Sequence, residues 1–250
     1  MSDRRVVLTA VGIRSAFSGG AAGFLTGLRS GVSGLGPPTL FDGEAFGLTQ
    51  VGEVRDALPA FPGTEGDRKS LLLQEALRDL AESRELPEIG GVWLGTGLSS
   101  VLPEELEEDV VPYIRDGKVD REALYQCVDP DRLAPKRHLP ERALNALSDA
   151  VGCRGIRYTS FSACAAGAQA IAEAFRAIRR GDVDSALCGG QDAMIHPLGV
   201  LSFSLLGALS PTQCRPFDKR RDGFSIGEGA TLLLLEEEEF AKRRSGSKPL

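Results

Sequence analysis

Cys164 stands in the run SFSACAAGAQAIAEAFRAIRRG, Ser160 to Gly181, where β-forming residues give way to a helical pattern. Small residues crowd it on both sides, Ser162, Ala163, Ala165, Ala166 and Gly167, so that a backbone or a substrate can approach closely. A cysteine opening a helix meets unpaired N–H groups and the positive end of the macrodipole, which favour a thiolate and lower its pKa. Those N–H groups can also hold the oxyanion of an acyl intermediate. Packing is the competing role, because free cysteine is among the most buried residue types. The residues leave both open for Cys164. Cys188, between Leu187 and Gly189 in a strand-like run, fits packing, and so do Cys127, Cys153 and Cys214. The turn is not a G-x-S-x-G elbow, which argues against a serine hydrolase.

The elements that must hold this turn read as an α/β layer. Arg5–Ala10, Gly91–Gly95, Ile156–Ser162, Ser185–Gly190 and Ala230–Leu235 are short apolar runs, and helical patterns separate the first four. Gly20–Arg29 places Phe24, Leu25 and Leu28 on one face, and Arg68–Arg84 is amphipathic through Leu71, Leu72, Leu80 and Ala81. The helix after Cys164 runs to Arg180 and stops at Gly181. Continuous apolar strands joined through helices predict a parallel sheet covered on both faces. Pro103 to Arg142 breaks the pattern as an irregular or helical excursion, and the polar tail from residue 241 reads as loose.

Composition narrows the classes. A net charge of -6 over 250 residues argues against general nucleic-acid binding. Five cysteines without a C-x-x-C pair or a His/Cys cluster give no zinc pattern, and their odd number suits a reducing compartment. With no signal-peptide run and no stretch of membrane-spanning length, a cytoplasmic protein is expected. Gly95-Thr96-Gly97 lacks the third glycine of a dinucleotide fingerprint, since Ser100 stands there. No cofactor or metal is expected. The run Glu236 to Glu239 reads as a solvated strand end or helix start.

As an ordered set, the motifs resemble the β-ketoacyl synthase (3-oxoacyl-[acyl-carrier-protein] synthase) family. SACAAG is similar to that family's cysteine turn, where TAC is the more usual form. VVLTAVGIRSAF with LRSGVSG, DRKSLLLQEAL, GVWLGTG and LCGGQDA follow in the family's order, and PFDKRRDGFSIGEGA, Pro216 to Ala230, is the most specific of them. The resemblance covers nearly the whole chain and is weakest from Pro103 to Arg142. It implies the N-terminal half of a thiolase-like fold: a mainly parallel five-stranded sheet with helices on both faces, residues 1–240.

By the same resemblance Cys164 takes an acyl chain as a thioester in fatty-acid or polyketide elongation, while Leu98, Val101 and Phe203 contact that chain. Phe203 packed in a core is an equally good account of that residue. Two histidines in H-G-T and G-H motifs, and a G-F-G loop, complete condensation in the family. None of those motifs occurs here, and the two histidines present, His138 and His196, stand in other contexts. A partner chain is therefore expected to supply them. The helix carrying Ala163, Ala166, Ala170, Ile171, Ala174, Ala177 and Ile178 is expected to leave a small apolar face for association, with Tyr158 and Phe161 on the preceding strand for dimer contacts. Arg215, Lys219, Arg220 and Arg221 could dock an acidic acyl carrier protein, unless Arg221 and Asp222 pair internally. The rival function is a non-catalytic, ketosynthase-like subunit that binds and stabilises a full-length synthase.

Overall fold

A computed structural model describes residues 4–59, 67–97, 110–127 and 139–245. In chain order the regular elements are β1 (Val6–Arg14), α1 (Gly20–Ser30), α2 (Arg68–Ser83), β2 (Gly91–Thr96), β3 (Ile114–Arg115), β4 (Lys118–Val119) and α3 (Arg121–Cys127). Then follow α4 (Glu141–Ala150), β5 (Ile156–Ser160), α5 (Ala166–Arg180), β6 (Ser185–Ala193), α6 (Pro197–Leu205), β7 (Glu228–Glu237) and α7 (Glu238–Ser245).

The five expected strands form one sheet in the order β1-β7-β6-β2-β5. β2 pairs in parallel with both β5 and β6, while β7 runs antiparallel to β6 and β1. Four strands thus share a direction and β7 opposes them, so the sheet is mainly parallel as expected, although the apolar runs alone did not single out β7. The reason lies in the connection: residues 194–227 stay at the end of the sheet where β6 finishes, so β7 must descend beside it. Consequently β1, β2, β5 and β6 finish at the end where β7 begins. That end gathers the turn after β5 and the whole PFD segment.

Helices cover both faces. On one, α2 and α4 bury Leu72, Leu73, Ala76, Leu80, Leu144 and Leu147 against Val92, Leu94, Leu187, Leu232 and Leu234. On the other, Ala170, Ala174, Ala177 and Ile178 of α5 pack on Trp93, Ala186 and Cys188. The alternation of Val92, Trp93 and Leu94 between the two clusters is the period-two pleat of a strand buried on both sides. Gly181, at φ 85°, ends α5 as expected and donates its N–H to the Ile178 carbonyl.

Several expectations change. The alanine stripe of α5 is covered by this chain's own sheet: Ala166, Ala170, Ala174, Ala177 and Ile178 are buried, because small residues let the helix axis come close to β2 and β6. What α5 leaves outside is Ala168, Gln169, Phe175, Arg176, Arg179 and Arg180. Helix α4 was hidden by its neighbourhood of Pro and charge, although Ala143, Leu144 and Leu147 have helical spacing. Residues 242–245 are helical rather than loose, since α7 carries Glu238 and Glu239 in its first turn and Lys242, Arg243 and Arg244 in its last, complementing its dipole. Glu236 is fully buried, not solvated, and accepts hydrogen bonds from Arg244 at 3.1 and 3.2 Å and from the Thr9 hydroxyl.

Candidate functional site

The turn between β5 and α5 is built around one unusual backbone angle. Ser160 ends the strand and is buried, Phe161 and Ser162 follow, and Ala163 has φ 51°, a left-handed conformation uncommon for a residue with a side chain. One 3₁₀ turn, Ala163–Ala165, carries Cys164, and α5 begins at Ala166. The Cys164 side chain is exposed. Its placement above the sheet depends on Gly95 at the end of β2: a Cβ there would lie 2.4 Å from the Ala166 carbonyl carbon and from the Gly167 nitrogen. Glycine thus lets the first turn of α5 rest on the strand.

Beside that first turn opens a cleft of about 620 Å³, floored by Gly190, Thr231 and Leu233, walled by Val11 and Ile13, and bordered by Ala163 and Gly167. Cys164 does not line it, but residues on both sides of Cys164 do. Polar residues that sequence reasoning did not single out line it, Gln191 and Asp192 beside Arg14 and Ser15. Both atoms of the Gln191 amide are buried without a hydrogen-bond partner among the described residues. Burial pushes the Asp192 carboxyl above the usual range, opposed by the Ala193 N–H at 2.9 Å and the charge of Lys69. The available signal was the polar pair of GGQDA placed after two glycines in an apolar strand.

The cysteines separate clearly. Burial pushes the Cys188 thiol up to about 12, and Cys153 is also buried, whereas Cys164 and Cys127 are exposed and Cys214 is half-buried. Two results should follow. At neutral pH iodoacetamide should label Cys164 and leave Cys188 untouched until denaturant unfolds the chain, as read by peptide mass mapping. Because the folded thiol titrates above its unfolded value, the stability that Cys188 contributes is fully present below about pH 9 and is lost as pH rises towards 12. Denaturation midpoints should fall through that window, and less so in Cys188→Ala.

The remaining expected residues are dispersed. Phe203 is half-buried and meets Phe224 edge to face, with centroids 5.2 Å apart, in a cluster with Met194, Ile195 and Val200. It does not line the cleft beside Cys164. Leu98, Val101 and His138 lie outside the described residues. His196 caps α6, its Nδ1 accepting from the Gly199 N–H at 3.2 Å.

In the PFD segment Arg220 bonds Asp218, and Arg221 donates to the Asp218 carbonyl at 3.1 Å. Asp222 takes the Ser210 and Thr212 hydroxyls at 2.5 and 2.6 Å, so the internal pairing considered for Arg221 and Asp222 is replaced by separate partners. Phe217, at φ 66°, is 99% exposed and next to this basic rim.

Residues 73–241 match the model of the β-ketoacyl synthase N-terminal domain. The chain is 32% identical to a 3-oxoacyl-[acyl-carrier-protein] synthase 2 of Synechocystis, over 98% of its own length and 60% of the relative's. Among solved structures it is similar to the ishigamide ketosynthase/chain length factor, with 31% identity, a TM-score of 0.75, and coverage of 98% of this chain and 61% of that one. A β-ketoacyl synthase from Burkholderia phymatum gives a TM-score of 0.76 at 26% identity, covering 98% and 62%. The chain therefore spans about 60% of the length of the curated relatives it matches.

Proposed function

Because this chain belongs to the β-ketoacyl synthase family, we propose that it carries the acyl-accepting half of a condensing enzyme, with Cys164 as the nucleophile. The observation that carries this reading is an exposed cysteine on a bent strand-to-helix turn whose first helical residues rest on Gly95. The Cys164 sulfur attacks the carbonyl of an acyl thioester; a new S–C bond forms, the old thioester bond breaks, and the thiol proton of Cys164 ends on the departing carrier thiol. Backbone N–H groups at the start of α5 are placed to receive the developing oxyanion.

Condensation with a decarboxylated malonyl unit needs further donors. His196 is engaged as a helix cap, so the donors come from a second ketosynthase-type segment or chain. Fatty-acid or polyketide elongation on acyl carrier protein is the setting, with Arg215, Lys219, Arg220 and Arg221 as the carrier rim. Edge strand β5, with Ile156 and Tyr158 exposed and Phe161 exposed just after it, is the dimer surface, homotypic or shared with another ketosynthase-type chain. Leu98, Val101 and Phe203 are proposed acyl-chain contacts, residues 1–240 the domain, and the cytoplasm its location. Among the described residues no helix is long and apolar enough to cross a membrane.

The experiment is a condensation assay. The 250-residue chain, given acyl and malonyl carrier thioesters, should form no ketoacyl product, since each missing oxyanion donor typically costs about 10²–10³ in rate. Adding a chain that bears the H-G-T and G-H motifs should restore product. Robust product from the chain alone, or none with such a partner, would contradict the proposal. A binding or stabilising subunit is the second reading, favoured by the uncovered cleft and its unpartnered Gln191. It predicts that Cys164 is dispensable.

A further inference from the structure

Ala163 is left-handed, a conformation that is unfavourable for a residue with a Cβ and that its surroundings must hold in place. The backbone supplies one restraint, the Ala165 N–H donating to the Ser162 carbonyl at 3.2 Å. Side chains supply a second. The hydroxyls of Ser160 and Ser162 both donate to Oε1 of Gln169, at 2.8 and 2.6 Å, and their oxygens are 3.0 Å apart. A carboxamide oxygen has two lone pairs, and here both are used.

Ser160 is the last residue of β5 and is 3% exposed, Ser162 sits inside the turn, and Gln169 belongs to α5. The three side chains therefore join strand, turn and helix into a closed loop, and Cys164 lies inside it. We propose that Gln169 is a positioning residue for Cys164, holding the turn so that the sulfur approaches the face of an acyl carbonyl while the carbonyl oxygen faces the first N–H groups of α5. The inference rests on Cys164 being the acyl acceptor. Gln169 touches neither the sulfur nor the substrate in this role; it acts through Ser160 and Ser162.

Two substitutions separate the clasp from the bulk of the side chain. Gln169→Leu keeps volume and removes the acceptor, leaving the buried Ser160 hydroxyl to compete for Ser162 alone. Gln169→Glu keeps an oxygen that can accept both hydroxyls. Their added charge differs, so the informative quantity is a ratio: acylation of Cys164 by hexanoyl-N-acetylcysteamine divided by its alkylation with iodoacetamide. Both reactions pass through the same thiolate, so a change in thiolate fraction cancels, while only acylation depends on the orientation of attack. Gln169→Leu should lower the ratio about tenfold, in keeping with the sensitivity of oriented reactions to small displacements, and Gln169→Glu should restore it.

Amide hydrogen exchange at residues 163–166 should quicken in Gln169→Leu and return in Gln169→Glu. An unchanged ratio in Gln169→Leu, or a Glu variant that behaves like Leu, overturns the proposal. Should the wild-type chain take the alkyl group and no acyl group, the acyl-acceptor reading fails by itself. Exchange then decides the clasp: faster exchange in Leu with restoration in Glu sustains it, and unchanged exchange rejects it.

Discussion

An Ala174→Glu chain should have no cooperative unfolding transition, whereas Arg179→Glu should melt close to the unsubstituted protein. Ala174 has no exposed surface and lies in the cluster where α5 meets Trp93, Ala186 and Cys188. A glutamate there brings a carboxylate into an apolar interface and a volume the close-packed layer cannot take. Burying an unpaired charge costs several kcal/mol, and overpacking about 1–3 more, against a total stability on the order of 5–15.

Arg179 is exposed and lies 5.9 Å from the Phe175 ring, an interaction of about 0.5–1 kcal/mol at such a site. Circular dichroism during denaturant titration would read both. A well-folded Ala174→Glu protein that differs only in oligomeric state would mean that the alanine stripe faces another chain, contrary to the packing on β2 and β6.

That comparison marks where sequence patterning stops being informative. The α5 stripe is unmistakable as a small apolar face, but periodicity cannot say which layer covers it. The sheet itself does so here, and the uncovered region moved to the neighbouring cleft over Thr231 and Leu233. Strand positions were legible because each is a continuous apolar run, and the cysteine turn was legible because glycine and alanine crowd Cys164. The direction of β7 was not, since nothing in ATLLLL distinguishes a parallel from an antiparallel neighbour.

The buried Glu236 shows the same limit from the polar side. A run of four glutamates reads as solvent-facing until α7 turns Arg244, eight residues away, back onto Glu236 and the β1–β7 pairing brings up Thr9 from the other end of the chain. The clasp at Gln169 is likewise a product of the fold. Its residues are close in sequence, yet only the bend at Ala163 aims two serine hydroxyls at one amide oxygen.

The largest chemical effect expected is the loss of acyl loading on removal of one sulfur. Cys164→Ala deletes the only atom that forms the new bond. The alanine occupies an exposed position flanked by alanines, so the fold should be unaffected. Cys188 cannot substitute, with its thiol pushed up to about 12 inside the α5 interface. Cys127 ends α3 and Cys214 lies in the loop before β7, so neither opens α5.

The direct measurement is intact mass of the folded chain after incubation with an acyl carrier protein thioester, compared with Cys164→Ala and followed by peptide mapping. One acyl group on the unsubstituted chain, mapped to Cys164 and absent from Cys164→Ala, is the predicted result. An adduct that persists in Cys164→Ala, or none on folded chain, would contradict the assignment of Cys164 as the acyl acceptor.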